Sequence, residues 1–418
     1  MSLEQLKKDV CSAVEDMRAE LLALSHAIHD EPELALEEFK AAKRLADGIE
    51  RHGVTATRGA FGLDTAFAAE FGRSSGPNIS ILSEYDALPG IGHACGHNII
   101  ATAGFGAAMA LSKLNGRLPG RVRYLGTPAE ERFGGKEIMA RHGAFDGVDA
   151  SMMIHPSNEN LVTMPCIAIS EVEAIYHGLS AHASAMPYRG LNALDAVVTA
   201  YQSIAQLRQH IRNTDRIHGI ITEGGLAPNI VPERAACRFY VRAVDAHELA
   251  PLKARVQKCF EAGALATGCR LEVHWGDTDY LDLKTNWPMA EAYEANAIAL
   301  GREFFPVDQL PPGYSGSTDM GNVSHLVPSI HPMLGIAPAG VVIHNPEFTR
   351  YAASDKGDAA VIDGAKSMAM TVLDLMAERG RMDAARADFA ATVELSRAAI
   401  AKSREPLAHS HHGGCGCA

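Results

Sequence analysis

The apolar run Ile79-Ser80-Ile81-Leu82 opens directly onto Ser83-Glu84-Tyr85-Asp86-Ala87-Leu88-Pro89-Gly90-Ile91-Gly92-His93-Ala94-Cys95-Gly96-His97-Asn98. No other stretch constrains the fold as much. A short apolar run stopped by a loop rich in glycine, with one proline, reads as a buried strand and the loop at its carboxyl end. The segment that follows, Ile99 to Leu114, is rich in Ala and Gly and predicts a helix whose small face can pack closely on a sheet. Within the loop stand two carboxylates, two histidines and a thiol. Cys95 and His97 are two apart, so in an extended segment their side chains point to one side and can meet one ion. Taken alone, a cysteine is more often a small core residue and a histidine a structural hydrogen-bonding group. The weight therefore falls on the polar residues at the ends of the other strands.

Those residues recur in the same setting. Arg121 to Gly126 predicts a strand and is followed by Thr127-Pro128-Ala129-Glu130-Glu131; Gly134-Gly135 then opens a helix over Lys136 to His142. Val148 to Ile154 predicts a further strand, ending in His155-Pro156. Strand, polar loop and helix in repetition imply a mainly parallel sheet covered by helices, and ligands of such sheets sit at the carboxyl ends of the strands. Upstream, apolar positions at helical spacing (Leu6, Val10, Val14, Met17, Leu21, Leu24, Ile28) predict one long helix from Leu3 to Ile28. A second helix is expected near Leu36 to His52, and two short strands between Val54 and Phe71.

Beyond His155 the pattern changes. Strands are expected at Ile167 to Tyr176, Ile217 to Thr222, Cys237 to Val244 and Arg270 to Trp275, with helices at Asn192 to His210 and Ala246 to Ala266. This order is a split βαβ sandwich. From Asp282 helical and Gly/Pro-rich character returns, so the fold expected is α/β: a mainly parallel-sheet domain over 1–166 and 281–418, with an inserted α+β domain over 167–280. Near the end, Val341-Val342-Ile343 leads to His344-Asn345-Pro346-Glu347-Phe348, and helices are predicted over Asp358 to Arg379 and Met382 to Ala401.

The 418 residues suffice for two domains with a sizeable core in each, and the formal charge of -12 argues against nucleic acid or an anionic membrane as partner. The first residues lack the apolar core of a signal peptide, and no apolar run approaches the roughly 18 residues of a span, so a cytoplasmic protein is expected. Eight scattered cysteines (Cys11, Cys95, Cys166, Cys237, Cys259, Cys269, Cys415, Cys417) imply reduced thiols. The closing His409, His411, His412, Cys415 and Cys417 read as an unstructured terminus rather than a metal site.

Cys95, His97, Glu131, His155 and His344 together make a mixed thiolate, imidazole and carboxylate set suited to Zn²⁺ or Mn²⁺. Five ligands exceed what one tetrahedral ion takes, and two ions sharing a ligand is the economical reading. Glu130, beside a presumed ligand, is left to move protons as general base.

Across Ser83–Asn98, Pro128–Glu131, Ile154–Pro156, Gly178–Ser184 and His344–Phe348, nearly the whole chain resembles the M20 metallopeptidases and amidohydrolases. The likeness is to the branch of auxin-conjugate hydrolases, aminobenzoyl-glutamate hydrolase and aminoacylase-like dipeptidases. The resemblance implies one or two divalent ions on the five ligands, Glu130 as base, and Asp86 as the group orienting a ligand histidine. It further implies that the inserted domain serves as lid and dimerisation domain, and that its His182 reaches the active site of a partner subunit. Asn229 and Arg242 resemble substrate-binding positions, Arg242 as a clamp for a carboxylate. Three positions depart from the pattern: Asn98 and Asn345 stand where Asp and Ser are common, and Glu84 where other branches place a metal-binding His. The expected activity is hydrolysis of a small N-acyl or N-aroyl amino acid or a dipeptide by a homodimer or higher homo-oligomer. Hydrolytic deamination of an aromatic amine and non-catalytic metal or small-molecule binding are the two alternatives.

Overall fold

The structure is a computed structural model that describes residues 2–311 and 313–405. His409, His411, His412, Cys415 and Cys417 lie outside the described residues. Two units are present: Met1–Cys166 with Leu283–Arg397, and Ile167–Asp282 with the described residues from Ala398 onward.

The first unit opens with α1 (Leu3–Asp16), α2 (Arg18–Asp30) and α3 (Phe39–Arg51). The single helix expected from Leu3 to Ile28 is two, broken at Met17, whose backbone (φ -94°, ψ 0°) closes the first helix and leads into the second. Leu6, Val10, Val14, Leu21, Leu24 and Ile28 are buried on both sides of the break, so the apolar period runs through it and cannot mark it. Then come β1 (Ala56–Arg58), β2 (Phe67–Gly72), β3 (Asn78–Ser83), α4 (His97–Ser112), β4 (Arg121–Gly126), α5 (Gly135–Arg141), β5 (Ala150–Met152) and β6 (His155–Ser157).

The second unit holds β7 (Ala168–His177), α6 (Ala193–Leu207), β8 (Arg216–Glu223), β9 (Arg234–Ala243), α7 (Ala246–Thr267) and β10 (Arg270–Trp275). Its sheet runs β10-β7-β9-β8 with every pair antiparallel, the arrangement of the split βαβ sandwich. Residues of β7 alternate between buried and half-buried, as period-two patterning requires of a sheet with one covered face. Val172, Ala174, Tyr176, Phe239, Val241 and Phe260 form its core against α6 and α7.

On return to the first unit the chain makes α8 (Trp287–Ala299), α9 (Met320–Ser324), β11 (Ser329–Ile330), β12 (Met333–Gly335), α10 (Pro346–Tyr351), α11 (Asp355–Ala377) and α12 (Arg379–Ala390), and then α13 (Val393–Arg404), which belongs to the first unit up to Arg397 and to the second from Ala398. Its main sheet has the order β1-β2-β4-β3-β5-β11. β4, β3, β5 and β11 are mutually parallel, while β1 and β2 form an antiparallel edge. β12 and β6 make a separate parallel pair. All six residues of β3 are buried. Helix α4 packs on β3 because Gly104 has no Cβ: one placed there would collide with Ser83 Oγ. Among the described residues, no helix is long and apolar enough to cross a membrane.

Candidate metal centre

The carboxyl ends of β3, β4 and β5 open onto three loops that converge. Thr127, just past β4, is tied to the end of β3, its backbone N–H donating to Ser83 O at 2.7 Å and its hydroxyl to the same oxygen at 3.1 Å. Asp86 joins the loops beyond. Its Oδ2 accepts the backbone N–H of Glu131 at 2.8 Å, and its Oδ1 lies 3.3 Å from His97 Nδ1. A carboxylate can only accept, so Nδ1 carries a proton and Nε2 is the ring nitrogen turned outward; burial opposes a charge on the ring, but Glu84, Cys95 and Asp86 outweigh that and raise its affinity for a proton. Both oxygens of Asp86 are thus engaged. Burial opposes its charge, but the hydrogen bond and charge of His97 outweigh that and hold it below the usual carboxylate range.

Cys95 and His97 are not in one extended segment, as their spacing suggested. Gly96 adopts φ +77°, and His97 is the first residue of α4. The turn brings thiol and imidazole together all the same. It needs glycine twice over, for the left-handed backbone and because a Cβ there would collide with Pro156. His155, at the start of β6, donates from Nδ1 to Pro156 O at 2.6 Å and places Nε2 3.4 Å from Cys95 Sγ. His344 has φ +63° and is held by its backbone N–H on Ala94 O at 2.9 Å; its Nε2 lies 3.3 Å from Glu131 Oε1. All five expected ligands therefore meet, in two overlapping triads: Cys95, His97 and His155, and Cys95, Glu131 and His344. Glu130 and Glu131 follow Ala129, a non-glycine residue at φ +63° whose N–H is fixed by buried Glu38 Oε1 at 2.8 Å.

The donor set fits a cation. His97 Nε2 is buried without a hydrogen-bond partner, an arrangement costly to a protein that leaves it so. Burial, with the nearby Glu131, pushes the Cys95 thiol well up, and burial drives His155 down to about 4. A divalent ion needs a thiolate and neutral imidazoles, and its charge would reverse the penalty on Cys95 while favouring a neutral His155. Glu130 is raised well above the usual carboxylate range by burial and by Glu84, Glu131 and Asp319. Glu131 is held below it: burial opposes its charge, but His344 and His97 outweigh that.

Two departures have plain structural reasons. Asn98 is buried and donates from Nδ2 to Ser25 Oγ and to Ala352 O, both at 2.9 Å, which an aspartate cannot do. Asn345 caps α10 by accepting the Glu347 N–H at 2.9 Å, a task serine also performs.

The remaining expected residues lie in the second unit. His182 is exposed, and its Nδ1 accepts the N–H groups of Ser184 at 3.4 Å and Ala185 at 3.3 Å. Asn229 is beside it in the paired loop: Ala183 N donates to Asn229 O at 3.1 Å. Arg242 is half-buried on β9, its guanidinium 6.0 Å from the Tyr240 ring centroid.

Sequence reasoning missed Lys136, Asp319 and His331, all buried around the same site. One signal was available for Lys136: a lysine in the first turn of a helix opposes the helix dipole and calls for anionic partners. His331, between two very short strands, packs against His155 with ring centroids 5.4 Å apart, and nothing local in its sequence announces this.

An α/β sheet that gathers a thiolate, imidazoles and carboxylates at its strand ends defines a metal-dependent hydrolase. The model of peptidase family M20/M25/M40 matches residues 81–374, and the chain belongs to that family, within its amidohydrolase and dipeptidase branch. It is 40% identical over 400 residues to Xaa-Arg dipeptidase of Mus musculus, covering 93% of each chain. To one of the p-aminobenzoyl-glutamate hydrolase subunits of Escherichia coli (strain K12) it is 34% identical over 291 residues, 65% of this chain and 60% of that protein. The crystal structure of a Bacillus subtilis dinuclear metal binding peptidase of the M20 family shares the fold, with a TM-score of 0.66 at 21% identity, covering 87% of this chain and 99% of that one.

Proposed function

We propose that the chain is a dipeptidase that hydrolyses the amide bond of a small dipeptide using two divalent ions, Zn²⁺ or Mn²⁺, with Glu130 as general base. The observation that carries this reading is the meeting of five ligand-type side chains, with Glu130 beside them, in one cluster whose Cys95, His97 and His155 are buried, with Glu131 half-buried and His344 at its exposed edge. Cys95, His97 and His155 would hold one ion and Cys95, Glu131 and His344 the other, Cys95 belonging to both groups. A divalent ion in such a site polarises the scissile carbonyl and acidifies water.

The chain's own groups do the rest. Glu130 takes the proton of the attacking water on its carboxylate and returns it to the departing amine nitrogen, a double task suited to a carboxyl whose affinity for a proton has been raised. Backbone donors occupy Nδ1 of His182, so its proton sits on Nε2, free to donate to the oxyanion. In this reading the second unit is the lid and dimerisation domain, and His182 serves the site of a partner subunit. Arg242 and Asn229 hold the substrate, Arg242 through its terminal carboxylate. A dipeptide with arginine at its carboxyl end is the first substrate to try, in view of the mouse relative; N-acyl and N-aroyl amino acids come next. The six described cysteines are free, which suits a reducing compartment such as the cytoplasm.

The test is a panel of dipeptides, N-acyl and N-aroyl amino acids and aryl amines, assayed after chelation and again with added Mn²⁺ or Zn²⁺. Metal-restored release of a free amino acid is expected. Release of ammonia alone, or no turnover of any amide, overturns the proposal.

The subunit arrangement makes a separate prediction. Mixing Glu130→Gln subunits with His182→Ala subunits gives heterodimers with one site intact at both positions. Activity well above that of either parent is expected once mass spectrometry shows exchange. Parental activity in exchanged dimers places His182 at its own chain's site or outside catalysis.

A further inference from the structure

Against the ligand cluster lies an ion triad that the hydrolytic reading does not use. Lys136 is fully buried, with its ammonium 2.5 Å from Glu84 Oε2 and 2.6 Å from Asp319 Oδ1. Its backbone N–H also donates to Asp319 Oδ2 at 2.9 Å. A lysine is almost never stripped of water unless its charge is met, and here two fully buried carboxylates meet it. Both oxygens of Asp319 are thereby occupied.

Glu84 differs. Its Oε1 is buried with no hydrogen-bond partner and lies 3.3 Å from His97 Nε2, which is likewise buried and unpartnered. An oxygen of Glu130 lies 4.0 Å from the same nitrogen. His97 turns Nδ1 to Asp86, so its Nε2 and the second oxygen of Glu84 face one another, both buried. A cation satisfies both. Glu84, His97 and Glu130 offer ligand atoms within 4.8 Å of one another.

We propose that Glu84 is a further metal ligand of this site, acting beside His97, and that Lys136 is its positioning residue. The ammonium holds Oε2, which fixes the carboxylate with Oε1 turned toward His97, and it balances the charge of a carboxylate placed among Glu130, Glu131 and Asp319. The assignment rests on the reading that the cluster holds divalent ions. Its competitor is an ion-free pair in which a doubly protonated His97 bridges Asp86 and Glu84.

Binding, not turnover, decides between them. Chelator-treated wild-type protein and the variants Glu84→Gln, Glu84→Asp, Lys136→Met and Lys136→Arg are titrated with Mn²⁺ by calorimetry and with Co²⁺ by visible absorption, whose bands report the ligands around the ion. In Glu84→Gln, at least ~10-fold weaker binding at one site and altered Co²⁺ bands are expected, the scale on which groups around a metal contribute. Glu84→Asp keeps the charge beside Lys136 but withdraws the oxygen by one methylene, and is expected to weaken the same site. Lys136→Met should do likewise, with Lys136→Arg recovering part of the loss. Wild-type affinity together with wild-type Co²⁺ bands in Glu84→Gln overturns the assignment. If Glu84→Gln does not fold, the same result in Glu84→Asp overturns it. Wild-type protein that takes up neither Mn²⁺ nor Co²⁺ overturns the reading of the whole cluster, a failure distinct from that of Glu84.

Discussion

Replacing Glu130 by glutamine is expected to lower kcat by at least ~10²-fold, with bound metal unchanged; general acid–base groups contribute ~10² to 10⁴-fold, and a factor of 100 is about 2.7 kcal/mol of transition-state stabilisation. Glutamine keeps the shape and one oxygen but can neither take a proton from water nor hand it to an amine. The structure makes this a clean test. Glu130 stands outside the two triads that share Cys95 and belongs only to the group with Glu84 and His97, so metal content is measured on the same sample, and the turn that carries it is fixed from elsewhere: by Glu38 on the N–H of Ala129 and by Asp86 on the N–H of Glu131. Removing its charge therefore leaves the loop in place. It also relieves part of the crowding among Glu84, Glu131 and Asp319 that raises its proton affinity, so the variant is expected to be no less stable to heat than the wild type. Loss of kcat with KM nearly unchanged is the signature of an interaction made in the transition state. Near-normal turnover in a folded, metal-loaded variant removes Glu130 from the base role.

Much of this site could be read from sequence because its residues stand where apolar runs end. β3 announces itself by continuous burial and β4 by the buried residues Tyr124 to Gly126 at its end, and the polar residues just past them had to emerge at one end of a parallel sheet. The strands of the second unit were legible for another reason: β7 and β9 alternate at period two, with Val172, Ala174 and Tyr176 inward. What stayed hidden was set by tertiary contacts. The break at Met17 leaves the apolar stripe of α1 and α2 unbroken. His97 looked like one end of an extended ligand pair, yet the left-handed Gly96 makes it the start of α4. Lys136 carried the pattern of a solvated helix lysine, and only the fold shows that Glu84 and Asp319 surround it. Asp319 and His331 come from the chain after the second unit, far from the loops they join, and no local spacing connects them to Cys95.

Cys95 is the residue on which both triads depend, so its substitution is expected to reach furthest. In Cys95→Ser, metal affinity should fall by at least ~10²-fold, beyond the 10 to 100-fold typical of groups one layer further out, and activity should fall with it. Serine fits the space of the thiol, but its hydroxyl does not ionise at neutral pH as a ligand must. The buried thiol is already reluctant to ionise beside Glu131; only a cation shared between the triads gives reason to place it there rather than an alanine. Cys259 supplies the control. It is half-buried on α7 in the second unit, and its thiol donates to the carbonyl of Arg255 at 3.5 Å. Cys259→Ser should keep both metal and activity. Dialysis followed by elemental analysis separates the two variants: metal lost from Cys95→Ser and kept in Cys259→Ser supports the shared thiolate, whereas equal metal in both means that Cys95 is a core thiol and that His97, His155, Glu131 and His344 hold the ions without it.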